Sequence, residues 1–222
     1  YGYRCSVMAG AEAVDKMKDL RDAGDLPYKI EGCFSGTLGY ICSALEAGVP
    51  FSKIVEQARK LGYTEPHPRE DLSGEDVARK ILILARTAGY RIEYSDIKRK
   101  PFIPNKFLDE KDANVFMKNL KELDEYFVNE VRDARKEGKV LRYVARFEMK
   151  DCPIIRVGLE RVLRESPLGM LSGAANKIII HTKDYGRTPS IIEAPGAGLD
   201  ITARNIRVDL AHQVENRTLA RY

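Results

Sequence analysis

The sequence predicts an α+β fold in which a mixed or antiparallel sheet is covered by helices. Apolar residues recur at helical spacing as far as residue 137, and runs of β-branched residues dominate from residue 139 to residue 193. Because helical and strand patterns do not alternate along the chain, a doubly wound parallel sheet is not expected. At 222 residues the chain is long enough to form one large domain with a buried core.

The helical segments are bounded by glycine and proline signals. The first helices are expected at residues 11–23, 34–47, 52–61 and 74–88, and a glycine follows each of them closely. Ser52 and Ser73 are candidate N-caps for the third and fourth of these helices. Two prolines exclude a helix from segment 64–68. A long amphipathic helix is predicted at 111–137, where a glycine again follows.

The strand patterns begin directly after this long helix. Strands are expected at residues 140–147, 154–159, 177–182 and 189–193. A turn at Lys150 and Asp151 would join the first two strands into a hairpin. A terminal helix is predicted at 199–214, after a glycine-containing turn. The fold is therefore expected to place its helices mainly before its sheet strands in the sequence.

Composition and residue spacing exclude several classes of protein. The chain has 37 basic and 33 acidic residues, so its net charge of +4 is too small for a charge-driven nucleic-acid binder. No apolar run approaches the roughly 20 residues of a membrane span. The cysteines and histidines lack the spacing of zinc ribbons, redox pairs or HExxH hydrolases. Reduced thiols and no signal-peptide pattern predict a cytoplasmic protein, and the start at Tyr1 predicts part of a longer polypeptide.

Candidate catalytic groups concentrate in residues 58–80. This segment has a proline-stiffened loop rich in carboxylates, followed by the start of a helix. Asp76 and Lys80 are four residues apart, so both project from one side of that helix. Lys80 borders an apolar stripe, and a carboxylate one turn away would orient its ammonium for proton delivery. Spacing alone also allows an ordinary surface ion pair, with Asp71 and Ser73 acting only as helix caps.

The same segment resembles the signature of homoserine dehydrogenase. The shared pattern from Ala58 to Lys80 reads A-x-x-x-G-Y-T-x-x-x-P-x-x-D-L-x-G-x-D-x-x-x-K, with His67 where the family usually has Asp, Asn or Ser. Residues 35–41 resemble the family's substrate loop and following helix. Residues 138–143 resemble those homoserine dehydrogenases that are fused behind an aspartate kinase. The resemblance covers nearly the whole chain.

The resemblance implies the reversible, NADPH- or NADH-dependent reduction of L-aspartate 4-semialdehyde to L-homoserine, a step of threonine and methionine biosynthesis. Lys80 would stabilise or protonate the reacting oxygen, and Asp76 would orient Lys80 or a bound water. The implied substrate-binding residues are Gly36, Thr37, Tyr63, Glu65 and Asp71. A homodimer is also implied, and no nucleic-acid or membrane partner is expected.

The resemblance further implies a cofactor site and a monovalent cation site. Gly196, Ala197 and Gly198 would touch the nicotinamide end of the cofactor, although sequence alone allows a plain strand-to-helix turn there. No G-x-G-x-x-G follows a strand, so the dinucleotide-binding Rossmann domain is expected outside this chain. Backbone carbonyls of Val7 and Ala9 would bind the cation. Arg4, however, stands where the family has an acid, and arginine cannot ligate a cation.

Two interpretations follow. In the first, residues 1–222 are the substrate-binding, catalytic and dimerisation domain of homoserine dehydrogenase, inactive alone, and helix 199–214 packs toward the absent cofactor domain. The first interpretation predicts that Glu65, Asp71, Asp76 and Lys80 converge on one cleft. In the second, the chain is a non-catalytic dimerisation or assembly module of a larger polypeptide, with an apolar sheet face paired across a two-fold axis.

Overall fold

In the computed structural model, which describes residues 2–9 and 11–219, helices pack against one face of a mixed six-stranded sheet. Helices α1 to α9 comprise Ala13–Ala23, Gly36–Glu46, Phe51–Lys60, Arg69–Ser73, Glu75–Thr87, Asn105–Leu108, Ala113–Asn119, Asp124–Lys136 and Leu199–Leu219. Strands β1 to β6 comprise Lys29–Cys33, Lys98–Arg99, Lys139–Met149, Pro153–Leu163, Ala175–His181 and Ser190–Pro195. This architecture confirms the predicted α+β class.

The strand order of the sheet is β2-β4-β3-β1-β5-β6. Neighbouring strands are antiparallel except for β2 and β4, which are parallel. The predicted hairpin is formed by β3 and β4, and the two remaining predicted strands correspond to β5 and β6. The first residue of the terminal helix α9 is the predicted one, and the helix extends beyond the predicted end to Leu219.

Period-two alternation divides the sheet residues between two apolar clusters. Leu141 and Phe147 of β3 join the main core, which the helices complete. Val140 and Val144 point to the opposite face, where they pack with residues of the 164–174 loop. Within the described part of the chain, no helix combines the length and apolar character needed to cross a membrane.

The central strand β1 was not predicted from the sequence. Its Lys29 and Glu31 interrupt the apolar pattern, and Gly32 weakens the strand propensity. In the structure, Glu31 forms ion pairs with Lys29 and with Arg146 of the neighbouring strand β3. A local partner and one that is 115 residues away in sequence therefore neutralise a carboxylate that is buried in the centre of the sheet.

Three local predictions were wrong at the helix ends and in the long helix. The predicted helix 111–137 is interrupted, because a 3₁₀ turn at Leu120–Leu123 separates α7 from α8. Ser52 lies inside α3, where its backbone N–H and its hydroxyl both donate to Asp124 at 2.7 and 2.8 Å. Gly74, rather than Ser73, is the N-cap of α5. Ser35 caps α2 instead, by accepting a hydrogen bond from the Leu38 amide.

Gly74 joins α4 to α5 in a conformation that requires glycine. Its φ of 72° is in the left-handed region. A Cβ at this position would lie 1.8 Å from the hydroxyl oxygen of Tyr143. That hydroxyl donates to the carbonyl of Lys100 at 2.7 Å, so it is not free to move away. The junction between the two helices is therefore fixed against the sheet.

We expect Gly74→Ala to lower the free energy of unfolding by about 2–5 kcal/mol, from backbone strain and steric overlap combined. Gly48→Ala is the matched control, because Gly48 has a φ of 84° and its added Cβ would meet no atom within 4 Å. The control should lose only about 1–2 kcal/mol. Urea denaturation of both variants measures the difference, and equal losses would contradict the packing role of Gly74.

Candidate active site

A cleft of about 740 Å³ lies between the start of α2, the loop from α3 to α5, and the adjoining ends of β5 and β6. All the predicted catalytic and substrate-binding residues line this cleft, together with two of the three predicted cofactor residues: Gly36, Thr37, Tyr63, Glu65, Asp71, Asp76, Lys80, Gly196 and Ala197. Gly198 is not among the lining residues. The fold thus brings together segments that are more than 160 residues apart in the sequence.

Lys80 is held at the cleft by two acceptors. Its Nζ lies 2.6 Å from Oδ2 of Asp76, one helical turn earlier, and donates to the carbonyl oxygen of Phe34 at 2.9 Å. The Lys80 side chain is 18% exposed, whereas that of Asp76 is 63% exposed. The ammonium is thus partly desolvated and oriented, and the carboxylate beside it stays in contact with water. The sequence indicated Asp76 as a partner, but it gave no signal for the Phe34 carbonyl.

Two carboxylates, those of Asp71 and Glu65, form an acidic wall of the cleft. Oδ2 of Asp71 accepts a hydrogen bond from the Glu65 amide at 2.9 Å, which fixes the loop around the carboxylate. Burial raises the pKa of Asp71, while the hydrogen bond from the Glu65 amide and the nearby Thr37 hydroxyl oppose this rise. The negative charge of Glu65 raises the pKa further. A positively charged group bound here would offset both the desolvation of the Asp71 carboxylate and its repulsion by Glu65.

The hydroxyl of Thr37 also connects α2 to the acidic loop, because it donates to the carbonyl of Tyr63. The Tyr63 ring packs edge-on against Tyr40 of α2, with ring centroids 5.1 Å apart. His67, the one departure from the family signature, lies outside the cleft lining. Its ring packs against Phe116, and its Nδ1 accepts a hydrogen bond from the Arg69 amide. The departure from the signature therefore lies outside the lining of the cleft.

The turn between β6 and α9 forms the opposite wall. Gly196 packs so closely against Asn176 that a Cβ would lie 2.1 Å from the Asn176 Nδ2. The Gly196 carbonyl accepts a long hydrogen bond from the Ala9 amide, at 3.4 Å. Asn176, which sequence reasoning missed, is 1% exposed, and neither polar atom of its side chain has a hydrogen-bond partner. An unpaired amide beside a glycine turn fits a site that takes a polar planar ligand.

The residues at the implied cation site do not fit a cation. The guanidinium of Arg4 is buried and forms ion pairs with Asp15 and with Asp209 of α9. The carbonyl of Ala9 already accepts a hydrogen bond from the Asn205 side chain. Among the described residues, moreover, no cluster of three or more histidine, cysteine or acidic side chains could hold a metal. The positively charged side chain of Arg4 thus occupies the region where a cation would bind.

Comparison with known proteins identifies the family of the chain. The family model "Homoserine dehydrogenase" matches residues 14–211. The chain belongs to the homoserine dehydrogenase family. It is 41% identical over 210 residues to a chloroplastic bifunctional aspartokinase/homoserine dehydrogenase 2 of Zea mays, covering 95% of this chain and 23% of that protein. It is 37% identical to a homoserine dehydrogenase of Paracoccidioides brasiliensis, covering 96% of this chain and 59% of that enzyme.

Solved structures with the same fold include a protein of unknown function and homoserine dehydrogenases. A Candida auris protein of unknown function superposes with a TM-score of 0.90 at 34% identity, over 96% of this chain and 60% of that one. A homoserine dehydrogenase from Thiobacillus denitrificans gives a TM-score of 0.77 at 21% identity, over 94% of this chain and 43% of that one. The chain therefore spans between about a quarter and three fifths of the proteins it matches here.

The raised pKa of Asp71 predicts how stability changes with pH. Because folding raises this pKa above its ordinary value of 3.8, the folded state binds the proton more tightly than the unfolded state. The contribution of Asp71 to stability therefore falls as the pH rises above its ordinary pKa of 3.8. Asp71→Asn removes the charge and should be more stable than the unsubstituted chain at pH 7, with the gain fading toward pH 4.

Asp133→Asn is the control of opposite sign for this measurement. The pKa of Asp133 is lowered by hydrogen bonds from Lys136 and Arg132, so its charge favours the folded state. Its replacement should slightly lower stability at pH 7. Denaturation of both variants between pH 4 and pH 7 gives the comparison, and a loss of stability at neutral pH in Asp71→Asn would refute the burial argument.

Proposed function

We propose that this chain is the substrate-binding and catalytic unit of a homoserine dehydrogenase, which reversibly reduces L-aspartate 4-semialdehyde to L-homoserine with NADPH or NADH. The observation that carries the proposal is the meeting of the Lys80–Asp76 pair with the Asp71–Glu65 acidic wall in one cleft. This substrate requires two features: a cationic proton donor beside its aldehyde oxygen, and an anionic pocket for its ammonium group.

Lys80 is the group that acts on the reacting carbonyl. When bound, the nicotinamide cofactor supplies the hydride. As negative charge develops on the aldehyde oxygen, the ammonium of Lys80 stabilises it and donates the proton. The Phe34 carbonyl fixes the direction of the Lys80 side chain, so little reorganisation is needed. The water-exposed carboxylate of Asp76, 2.6 Å from Nζ, is the group that returns a proton from solvent to Lys80.

The acidic wall is the proposed site for the α-amino group of the substrate. Asp71 and Glu65 carry two negative charges around one position, and the desolvated Asp71 gains most from a cationic partner. Thr37, whose hydroxyl lies against Asp71, helps to hold that carboxylate in place. Gly36 and Tyr63 complete the same end of the cleft. Because the acidic wall and Lys80 line the same cleft, the site would favour an amino aldehyde over a simple aldehyde.

We propose that the cofactor domain packs against α9. Leu199, Ile206 and Leu210 of this helix are 50–90% exposed, which is unusual for large apolar side chains on one helix. The bifunctional aspartokinase/homoserine dehydrogenase of Zea mays is much longer than this chain, which leaves room for such a domain and for a kinase. A homodimer and a cytoplasmic location are part of the proposal. The free state of all the cysteines supports reducing surroundings.

In the full-length polypeptide, Lys80→Met should lower kcat for NADPH oxidation with aspartate 4-semialdehyde by roughly 10²–10⁴-fold. Arg79→Met is the matched control, because Arg79 is the adjacent residue of α5, is 65% exposed and pairs only with Glu75 among the described residues. The control should keep near-normal kcat. Unchanged activity in Lys80→Met would instead favour the non-catalytic assembly module.

The isolated chain of 222 residues is expected to show no steady dehydrogenase activity, because the described residues contain no dinucleotide-binding sheet. The measurement is NADPH oxidation by the purified chain with aspartate 4-semialdehyde, beside the full-length polypeptide at equal concentration. Steady oxidation by the isolated chain that disappears in Lys80→Ala would contradict this prediction.

A further inference from the structure

Asn176 is a buried amide that the proposed chemistry leaves without a role. It lies near the start of β5, opposite Ala194 of β6, and it lines the cleft. Its side chain is inside the fold, yet its Oδ1 and its Nδ2 both lack a hydrogen-bond partner. Leaving both a donor and an acceptor unpaired is costly, and native proteins rarely keep such a group without a reason. The position in the cleft wall points to a ligand as that reason.

The pair of orphaned atoms constrains the chemistry of the ligand. A carboxylate can accept from Nδ2 but leaves Oδ1 without a donor, and an ammonium group does the reverse. A primary carboxamide satisfies both atoms at once, because it presents a carbonyl and an NH₂ in the same plane. The substrate of the proposed reaction has no carboxamide. The nicotinamide ring of the proposed cofactor has one.

We propose that Asn176 binds the carboxamide of the nicotinamide ring through paired hydrogen bonds, an assignment that rests on the proposed function. Its Nδ2 donates to the carboxamide oxygen, and its Oδ1 accepts from the carboxamide NH₂. Lys80 and Asn176 line the same cleft. The contact therefore sets the rotation of the ring and the face that is turned toward the substrate.

The glycine turn covers the Asn176 amide in this structure, so a ligand reaches the amide only when the turn or the amide moves. Any side chain at position 196 would collide with the Asn176 amide, so glycine is required for the backbone to lie this close. Gly198, with a φ of 150°, gives the same turn a second residue of unusual backbone freedom. A small movement of this turn, or a rotation of the amide about χ2, exposes the two orphaned atoms to the cleft.

The test compares two forms of the cofactor in the full-length polypeptide. NADPH carries the carboxamide, and its 3-acetylpyridine analogue replaces the NH₂ by a methyl group and keeps the carbonyl. Isothermal titration calorimetry gives the dissociation constants without turnover, and NADH with its analogue serves equally. The unsubstituted protein should bind the analogue about threefold to tenfold more weakly, as expected for one lost hydrogen bond.

Two variants separate the two hydrogen bonds. Asn176→Leu removes donor and acceptor, so it should bind both forms more weakly and with equal affinity. Asn176→Asp keeps an acceptor but loses the NH₂ donor, so it should bind both forms more weakly while still preferring the one that has the NH₂. Asn114→Leu, at an exposed position of α7, is the control and should retain both affinities. Thermal denaturation checks that each variant is folded.

The outcomes distinguish failure of the inference from failure of the proposed function. If Asn176→Leu still discriminates between the two forms as the unsubstituted protein does, Asn176 does not contact the carboxamide and the inference is wrong. If Asn176→Leu weakens the binding of both forms but leaves the ratio of their dissociation constants unchanged, Asn176 has a purely structural role. If the unsubstituted full-length polypeptide binds neither NADPH nor NADH, the proposed function itself fails.

Discussion

The hydrogen bond from Lys80 to the Phe34 carbonyl is the interaction on which the site depends. It joins the middle of α5 to the junction between β1 and α2, whose residues also share the main apolar core. The left-handed turn at Gly74 joins α4, which carries Asp71, to α5, which carries Asp76 and Lys80, and all three side chains line one cleft. Electrostatic preorganisation of this kind is the largest contribution that a rigid fold makes to catalysis.

The two walls of the cleft have different electrostatic characters. One wall carries the carboxylates of Asp71 and Glu65. The raised pKa of Asp71 reflects the free-energy cost of a partly desolvated charge. The other wall, around Asn176 and Gly196, presents a neutral amide and backbone. Under the proposed function, the zwitterionic substrate and the planar nicotinamide would bind at opposite walls of the cleft.

Local patterns predicted much of this arrangement, and long-range contacts account for what they missed. The helical spacing of Asp76 and Lys80 sufficed to predict their contact, because an α-helix brings positions i and i+4 together whatever surrounds them. Strand β1 escaped prediction because Glu31 is neutralised by Arg146, more than a hundred residues later. The Phe34 carbonyl and the unpaired amide of Asn176 have no sequence signal at all, since each matters only through its position in the folded chain.

Arg4 has a consequence for mechanics as well as for charge. Its backbone and side chain contact Asp209 of α9, Asn205 of the same helix holds the Ala9 carbonyl, and the Ala9 amide bonds to Gly196. These links form a continuous rigid strut from the terminal helix to the rim of the cleft. We therefore expect a displacement of α9 to shift the glycine turn at the cleft as well.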